Sequence, residues 1–508
     1  MDQRVWKADL GNGFYRNPIL YADYSDPDVI RVGEDYFMIA SSFCNVPAIP
    51  LLHSRDLVNW KVVNYVLDRL PFSDYEVPAH GRGVWAPAIR YHEGKFWVCF
   101  PMPDEGIFFS TAKDPFGKWS EPFPVWLGKG RIDPCPFWDD DGKAYLVTAY
   151  AKSRCGIKSI LRLAEMKPDG TGLMDDGHDI YDGHHTQPTI EGPKLYKKDG
   201  FYYILAPAGG VKYGWQTALR SKNIWGPYEE KIVMFQGGSP INGPHQGGLV
   251  DTPSGETWFL HFQDVGTCGR IVHLQPAAWK DGWPVIGTDP GEEGCGQPVL
   301  EYRKPDTGAE SKPYCPDAGD EFDGSALGMQ WQWNANYKSQ WYSLRDSRLC
   351  LYAQPHSGKL CDTPHLLLQK FPAPNFFADV RLNTQDLTEN VSGGLLVLGG
   401  QYGALRFRRE KGSLLLEKIF GEERGDSEQV ESCGRLAVDG AFFLRLTVRG
   451  DDCTFSYSVD GERFWDVFSF TTSAGIWVGA KLGLFCTGER GTLFADWIRI
   501  FPLDSEIG

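Results

Sequence analysis

Three acidic residues in the first two hundred positions stand in similar settings, each directly before a proline or a glycine. They are Asp26, Asp133 and Glu191. Carboxyl groups gathered in one pocket suit acid–base chemistry, because crowding of like charges raises the pKa of one group and keeps it protonated. A proline after an aspartate also favours an extended backbone at that aspartate. A single Asp-Pro is usually a turn, so the chemistry depends on a fold that brings the three acids together.

An internal repeat supplies such a fold. A turn glycine followed by a strand rich in aromatic and β-branched residues recurs at intervals of about 50 to 60 residues. The five turn glycines are Gly33, Gly94, Gly142, Gly200 and Gly255. Repeats of this length with three or four strands are typical of propeller blades. We therefore predict an all-β chain with a five-bladed β-propeller catalytic domain over residues 1–303. A similar turn at Gly461 lies far outside the series, so the hairpin alone is not diagnostic.

A polar or aromatic residue precedes each of the five turns by about seven to ten positions. In chain order these residues are Asp26, Trp85, Asp133, Glu191 and His245. The first strand of every blade lines the central axis of a propeller, so equal offsets place all five residues at the same mouth of the channel. The repeat thus predicts one pocket that contains three carboxyl groups, a tryptophan and a histidine.

Such a pocket fits hydrolysis of a glycosidic bond. This reaction needs a protonated carboxyl group for the leaving oxygen and an ionised one that activates water or attacks the sugar. The aromatic content of 14% suits both β-sheet cores and sugar-binding surfaces. A net charge of −15 argues against nucleic acid and anionic membranes as partners. No apolar run is long enough to cross a bilayer.

Several motifs in chain order resemble glycoside hydrolase family 43, from about residue 17 to about residue 300. They are Asn17-Pro-Ile-Leu20, Ser25-Asp-Pro27, Leu52-His-Ser-Arg-Asp-Leu-Val-Asn-Trp60, Val84-Trp-Ala-Pro87, Ile132-Asp-Pro134, Asp139-Asp-Asp-Gly142 and Glu191-Gly-Pro-Lys-Leu-Tyr196. The resemblance implies Asp26 as general base, Asp133 as the residue that modulates the acid's pKa and orients it, and Glu191 as general acid. It also implies inversion of configuration, with carboxyl groups roughly 6.5–9.5 Å apart.

The resemblance extends to the rest of the pocket. Phe43 and Trp85 are expected to form an aromatic wall around the terminal sugar, and Arg270 to bind sugar hydroxyls. His245 is expected near the propeller axis, as a substrate contact or a metal ligand. Departures from the family pattern are Ser25 before the base and Asp28 after it. We expect a bend at Pro27 to turn Asp28 away, because a fourth carboxylate would be costly in the pocket.

The remainder of the chain predicts a second β domain. Residues 304–316 read as a linker, and residues 317–508 alternate short apolar strands with turns, which indicates an antiparallel β-sandwich. This half resembles the lectin-like sandwich of two-domain family members, which packs on the propeller and narrows the pocket. Catalysis requires no cofactor in this interpretation. A structural calcium ion is left open, at His245 or between Glu321 and Asp496.

We expect an exo-acting, inverting hydrolase that releases terminal β-1,4-xylose or α-L-arabinofuranose from xylan- or arabinoxylan-derived oligosaccharides. The alternatives are a retaining fructan- or sucrose-cleaving hydrolase, disfavoured by Ser25 and Gly192, and a non-catalytic carbohydrate-binding propeller. The N-terminus shows no signal peptide and the twelve cysteines form no C-x-x-C pair, so we predict a cytoplasmic protein with free thiols. Neither the choice of pentose nor the oligomeric state follows from the sequence.

Overall fold

A computed structural model describes residues 4–291, 293–309, 312–436 and 440–503. Positions 310 and 311 of the predicted linker lie outside these ranges. The regular secondary structure of the described chain is almost entirely β-strand, with one α-helical turn, Lys152–Cys155. Short 3-10 segments lie at Ser73–Glu76, Gly266–Cys268, Ser339–Trp341 and Leu360–Asp362. No helix in the described part of the chain is long and apolar enough to cross a membrane.

The first half forms five antiparallel sheets of four consecutive strands each, and all five predicted hairpins are confirmed. Their turn glycines adopt positive φ, from 65° at Gly33 to 88° at Gly255, a conformation that costs glycine little. In blade order the strands are Asp28–Val32, Asp35–Ile39, Ala48–Ser54, Lys61–Leu67; Ala88–His92, Lys95–Met102, Gly106–Ala112, Phe123–Leu127; Arg131–Trp138, Ala144–Tyr150, Ile160–Met166, His178–Asp182; Lys194–Lys198, Phe201–Ala208, Trp215–Ser221, Glu229–Met234; and His245–Asp251, Thr257–Asp264, Arg270–Lys280, Trp283–Ile286.

An N-terminal segment closes the ring of blades. Its strand Phe14–Arg16 pairs with Glu301–Arg303, which follows blade five. The buried side chain of Asn17 holds this segment against blade five, both as a hydrogen-bond donor and as an acceptor. Its Nδ2 donates to the carbonyl oxygens of Leu274 and Val299, each at 2.8 Å, and its Oδ1 accepts the Leu274 N–H at 2.8 Å. Main-chain hydrogen bonds between Leu20 and Val272, at 3.3 and 3.1 Å, also join the N-terminal segment to blade five.

The second half is a sandwich of two seven-stranded antiparallel sheets, and Gly461 lies in one of its hairpins. One sheet runs, in spatial order, Gln332–Trp333, Leu367–Lys370, Lys481–Thr487, Ser392–Leu398, Gln401–Glu410, Ser413–Glu422, Glu428–Leu436. The other runs Tyr342–Leu344, Leu349–Tyr352, Thr492–Pro502, Asn375–Asn383, Ala441–Arg449, Asp452–Ser458, Trp465–Thr471. Alternate residues of strand Asn375–Asn383 are buried, the period-two pattern of a sheet with one face in a core.

The sandwich packs directly on the propeller. Val46 of blade one and Trp333 of the sandwich exchange both main-chain hydrogen bonds, at 3.1 and 2.6 Å. A single cluster of buried apolar side chains runs across both halves. The segment between them lies along blade one, where Lys304 pairs with Asp9 and Asp56, each at 2.7 Å. The pocket described below is therefore built on a scaffold in which both halves contribute to one core.

Replacing Asn17 with alanine should destabilise the propeller, because three buried hydrogen bonds across the ring closure are lost. At about 1 kcal/mol each, the loss amounts to about 3 kcal/mol. Denaturant unfolding followed by tryptophan fluorescence measures it. Asn12→Ala serves as the control, since the exposed Asn12 bonds only within its own turn. Equal unfolding midpoints for the two variants would contradict this role for Asn17.

Candidate active site

Irregular backbone at the start of the inner strands aims the key side chains into the mouth of the channel. Asp26 and Asp133 both adopt φ of 55°, and Gln246 adopts φ of 34°. Strand pairing shifts register between Ile132 and Cys135, and again next to Gln246, as in a β-bulge. The expectation of an extended backbone at the two Asp-Pro sites is wrong. A left-handed conformation, which aspartate tolerates, sets the direction of each side chain instead, and at Asp133 it coincides with the bulge.

One cavity of about 390 Å³ opens at this mouth, a volume within the range of small-molecule sites. It brings together every site residue predicted from the sequence except His245. The predicted residues in its wall are Asp26, Phe43, Trp85, Asp133, Glu191 and Arg270. The equal offsets before the turn glycines therefore translate into one shared location, as the repeat predicted.

Asp26 is bound by polar side chains through both of its oxygens. Its Oδ2 accepts hydrogen bonds from the hydroxyls of Ser25, at 2.8 Å, and Ser41, at 2.6 Å. Its Oδ1 forms an ion pair with Nη1 of Arg270 at 3.0 Å. Only 5% of the residue is exposed. Three hydrogen bonds, one of them from a cation, therefore hold the carboxyl group of Asp26 in a fixed orientation.

Asp133 is buried with fewer polar partners than Asp26. It is 4% exposed, and its Oδ2 accepts the main-chain N–H of Gly192 at 2.8 Å. Burial raises the pKa of Asp133 to about 8, and the carboxyl groups of Glu191 and Asp26 act in the same direction. Asp133 is therefore a carboxyl group whose pKa is raised, as the crowding of like charges predicted.

Glu191 is more accessible than Asp133, with 36% of its side chain exposed. Its Oε1 lies 2.9 Å from Nε2 of His245, which is only 1% exposed and does not line the cavity. His245 therefore reaches the site through Glu191 and is not placed to touch a sugar. Of Glu191 and His245, Glu191 is therefore the residue that lines the cavity.

The Glu321 and Asp496 carboxylates considered for calcium do not fit that ion, which takes six to eight oxygen ligands. Within the described ranges, no group of three or more His, Cys, Asp or Glu side chains is close enough to hold a metal. Glu321 is bound by Arg499 through both oxygens, at 2.6 and 2.9 Å. Asp496 pairs with Arg381 at 2.6 Å. These carboxylates are neutralised by arginine, and no step below involves a metal.

Asp28 is turned away from the cavity, as expected from the bend at Pro27. It is fully buried, and its Oδ2 accepts hydrogen bonds from Nη1 of Arg90, at 2.7 Å, and from the Ile89 N–H, at 2.9 Å. Its charge is therefore compensated by an arginine of blade two. The positive φ at Asp26 breaks the strand alternation that would have placed both aspartates on one face.

The aromatic wall includes a residue that the sequence did not reveal. Phe43 and Trp85 have ring centroids 6.5 Å apart. Trp477, from a loop of the sandwich, stands edge-on to Trp85 at 4.7 Å and lines the same cavity. The Phe43 segment is fixed because Gly83 passes so close that a Cβ there would lie 2.2 Å from the Phe43 carbonyl oxygen.

Ser41 and Gln246 were also missed. Ser41 lies in the strand connection after the first hairpin and bonds Asp26, while Gln246 lines the cavity beside Glu191. Gln246 could have been found from its motif, since it is the bulge residue directly after His245. Ser41 and Trp477 carry no comparable signal, because their positions follow from packing between segments far apart in the chain.

Comparisons with known proteins agree with this geometry. The model of glycosyl hydrolases family 43 matches residues 15–284, more than half of the chain, and the model of the beta xylosidase C-terminal concanavalin A-like domain matches residues 319–499. A protein of Xylanibacter ruminicola is 38% identical over 502 residues, covering 96% of this chain and 89% of its own length.

Two further relatives are similar across both halves. A non-reducing end alpha-L-arabinofuranosidase of Bacteroides ovatus is 27% identical over 520 residues, covering 96% of this chain and 94% of its own. The crystal structure of xylan beta-1,4-xylosidase from Bacillus halodurans superposes with a TM-score of 0.85 at 26% identity, covering 96% of this chain and 99% of that one. The chain belongs to glycosyl hydrolase family 43.

Proposed function

We propose that the protein is an exo-acting, inverting glycoside hydrolase that releases a terminal pentose, β-1,4-xylose or α-L-arabinofuranose, from hemicellulose oligosaccharides. The observation that carries the proposal is the unequal treatment of the carboxyl groups in one cavity. Asp26 is paired with Arg270 and two hydroxyls, while burial next to Glu191 raises the pKa of Asp133 to about 8. One ionised base and one protonated acid are the two requirements of single-displacement hydrolysis.

On the base side, Asp26 accepts a proton from water as the water attacks the anomeric carbon. Arg270 and Ser41 hold the carboxylate in one orientation, so little reorganisation is needed when it takes up the proton. Asp26 therefore acts from a fixed position two residues before the first strand of blade one.

On the acid side, Glu191 donates the proton to the leaving oxygen. It is the exposed member of the carboxyl pair, while the buried Asp133 holds the Gly192 N–H and so fixes the backbone beside the acid. His245 supports Glu191 from behind at 2.9 Å. The carboxyl groups supply both proton donor and proton acceptor, so the proposal requires no cofactor.

The pocket wall supports recognition of one terminal sugar. Phe43, Trp85 and Trp477 offer apolar ring surfaces, on which the C–H faces of a pentose pack. Arg270 and Gln246 offer donors for hydroxyl groups from the same cavity. A relative described as an arabinofuranosidase and a structural neighbour described as a xylosidase support the two pentoses equally.

The unaltered protein should hydrolyse 4-nitrophenyl β-D-xyloside, 4-nitrophenyl α-L-arabinofuranoside or both. Asp26→Ala and Glu191→Ala should each lower kcat by at least about a thousandfold, because each removes a proton-transfer group. Release of nitrophenol measures both substrates side by side. Circular dichroism compares the folding of these two variants with that of Asp28→Asn, which alters a carboxylate outside the cavity.

Absence of turnover on both substrates would contradict the proposed function and favour a binding propeller. Turnover that survives Glu191→Ala on a poor leaving group, such as the methyl glycoside, would contradict the role of the acid. A nitrophenol leaving group needs less protonation, so Glu191→Ala should lose more activity on the methyl glycoside than on the nitrophenyl one.

Activity of the unaltered protein should fall as the pH rises through about 8, because Asp133, whose pKa is raised to about 8 by burial and by the carboxyl groups of Glu191 and Asp26, then loses its proton. Asp133→Asn keeps an oxygen for the Gly192 N–H but removes the charge. The alkaline limb of kcat against pH should therefore move down by at least about one pH unit. An alkaline limb that stays in place would show that Asp133 does not govern the acid.

A further inference from the structure

A buried carboxylate, Asp23, lies where the propeller, the sandwich and the candidate active site meet. It precedes the base Asp26 by three positions and is almost fully enclosed. Neither the repeat nor the acid–base chemistry accounts for it, since it does not line the cavity. A buried carboxylate is costly unless its oxygens are satisfied, so its partners indicate what it does.

Each oxygen of Asp23 binds a different half of the molecule. Its Oδ1 accepts the main-chain N–H of Arg270 at 2.9 Å, and its Oδ2 accepts the main-chain N–H of Gly479 at 2.9 Å. Arg270 is the residue that forms the ion pair with Asp26. Gly479 ends the sandwich loop that carries Trp477, a loop closed by the hydrogen bond from Gly475 N–H to Val478 O at 2.9 Å.

The two segments held by Asp23 also touch each other closely. A Cβ at Gly479 would lie 2.8 Å from the carbonyl carbon of Cys268, and one at Gly269 would lie 2.5 Å from Cγ of Asp23. The Ala480 N–H donates to the Thr267 carbonyl oxygen at 2.8 Å. The loop before Arg270 and the loop after Trp477 therefore pack backbone to backbone with no space for side chains, so a shift in one displaces the other.

Two buried lysines of the sandwich give Asp23 a matching charge. Lys370 and Lys481 are direct partners on adjacent strands. Burial lowers the pKa of Lys370 to about 8 and also lowers the pKa of Lys481, and Asp23 opposes both shifts. Asp23 thus supplies negative charge to a part of the sandwich that carries two cations, in addition to accepting its two hydrogen bonds.

We propose that Asp23 is a positioning residue through which the sandwich sets the geometry of the substrate pocket. One carboxylate fixes the main chain of Arg270 on the base side and the loop of Trp477 on the aromatic wall. The sandwich then acts as part of the active site. Displacement of its Trp477 loop would remove one wall of the sugar pocket and would also loosen Arg270, the ion-pair partner of Asp26. This inference rests on the proposed hydrolase function.

The substitution Asp23→Asn tests the inference, because an amide nitrogen cannot accept the N–H of Gly479 or Arg270. We expect KM for the nitrophenyl pentoside to rise about tenfold, the usual scale for losing a buried hydrogen bond to a charged acceptor. The expected fall in kcat is smaller, since Asp26 and Glu191 remain. Xylose binding by Asp23→Asn in a Glu191→Gln background, measured by calorimetry, should weaken by a similar factor.

Asp320→Asn is the matched control. Asp320 also accepts two main-chain N–H groups, those of Phe322 at 2.8 Å and Gly328 at 3.2 Å, but within the sandwich alone. It should lower the thermal midpoint and leave KM and kcat unchanged. If Asp23→Asn behaves in the same way, its role is structural and the inference is wrong.

Two further variants keep the test decisive if Asp23→Asn folds poorly. Gly479→Ala forces the Trp477 loop away from Cys268 without touching a charge, and it should reproduce the rise in KM. Combining Asp23→Asn with Trp477→Ala should give a KM lower than the product of the separate effects, because both act on one wall. Fully multiplicative effects would contradict a route through Trp477.

The failure of this inference differs from the failure of the proposed function. An unaltered protein that cleaves neither nitrophenyl pentoside contradicts the function, whatever the variants do. An active unaltered protein with an Asp23→Asn variant of normal KM contradicts only the positioning role.

Discussion

The repulsion and desolvation of three buried carboxyl groups is the constraint on which the site depends. Like charges in a cavity of low polarity cannot all persist unless each is compensated. The structure compensates one of them fully, because Asp26 receives a guanidinium and two hydroxyls. Among the described residues Asp133 has no such set of partners, and burial next to Glu191 raises its pKa to about 8. Asp26 thus differs from the other two carboxyl groups because Arg270 lies beside it.

That placement depends on the whole architecture. The propeller delivers one side chain per blade to the same mouth, and left-handed residues at the starts of the inner strands turn Asp26 and Asp133 inward. Such residues are strained by about 1–3 kcal/mol each and persist only where the surrounding structure fixes them. The ring closure at Asn17 and the packing of the sandwich on blade one provide that fixation. Hydrogen bonds far from the cavity therefore help to keep the carboxyl groups of Asp26 and Asp133 in position.

The sequence predicted the part of the site that the blade repeat encodes, and the family resemblance added Phe43 and Arg270. Equal offsets before turn glycines placed Asp26, Asp133 and Glu191 together, because a blade repeat fixes position along the axis. The φ of 55° at both aspartates was not predicted, since Asp-Pro normally favours an extended backbone and the bulge depends on the neighbouring strand. Trp477 was missed for another reason. Its approach to Trp85 depends on how two domains dock, which neither domain's pattern specifies.

The stereochemistry of the first product tests the central claim most directly, namely that Asp26 activates water instead of attacking the sugar. Proton NMR can follow the hydrolysis of xylobiose by the unaltered protein before mutarotation equilibrates the anomers. Activation of water by Asp26 in a single displacement predicts that α-xylose appears first from the β-linked substrate. Initial formation of β-xylose would show retention, with Asp26 as a nucleophile, and would contradict the account.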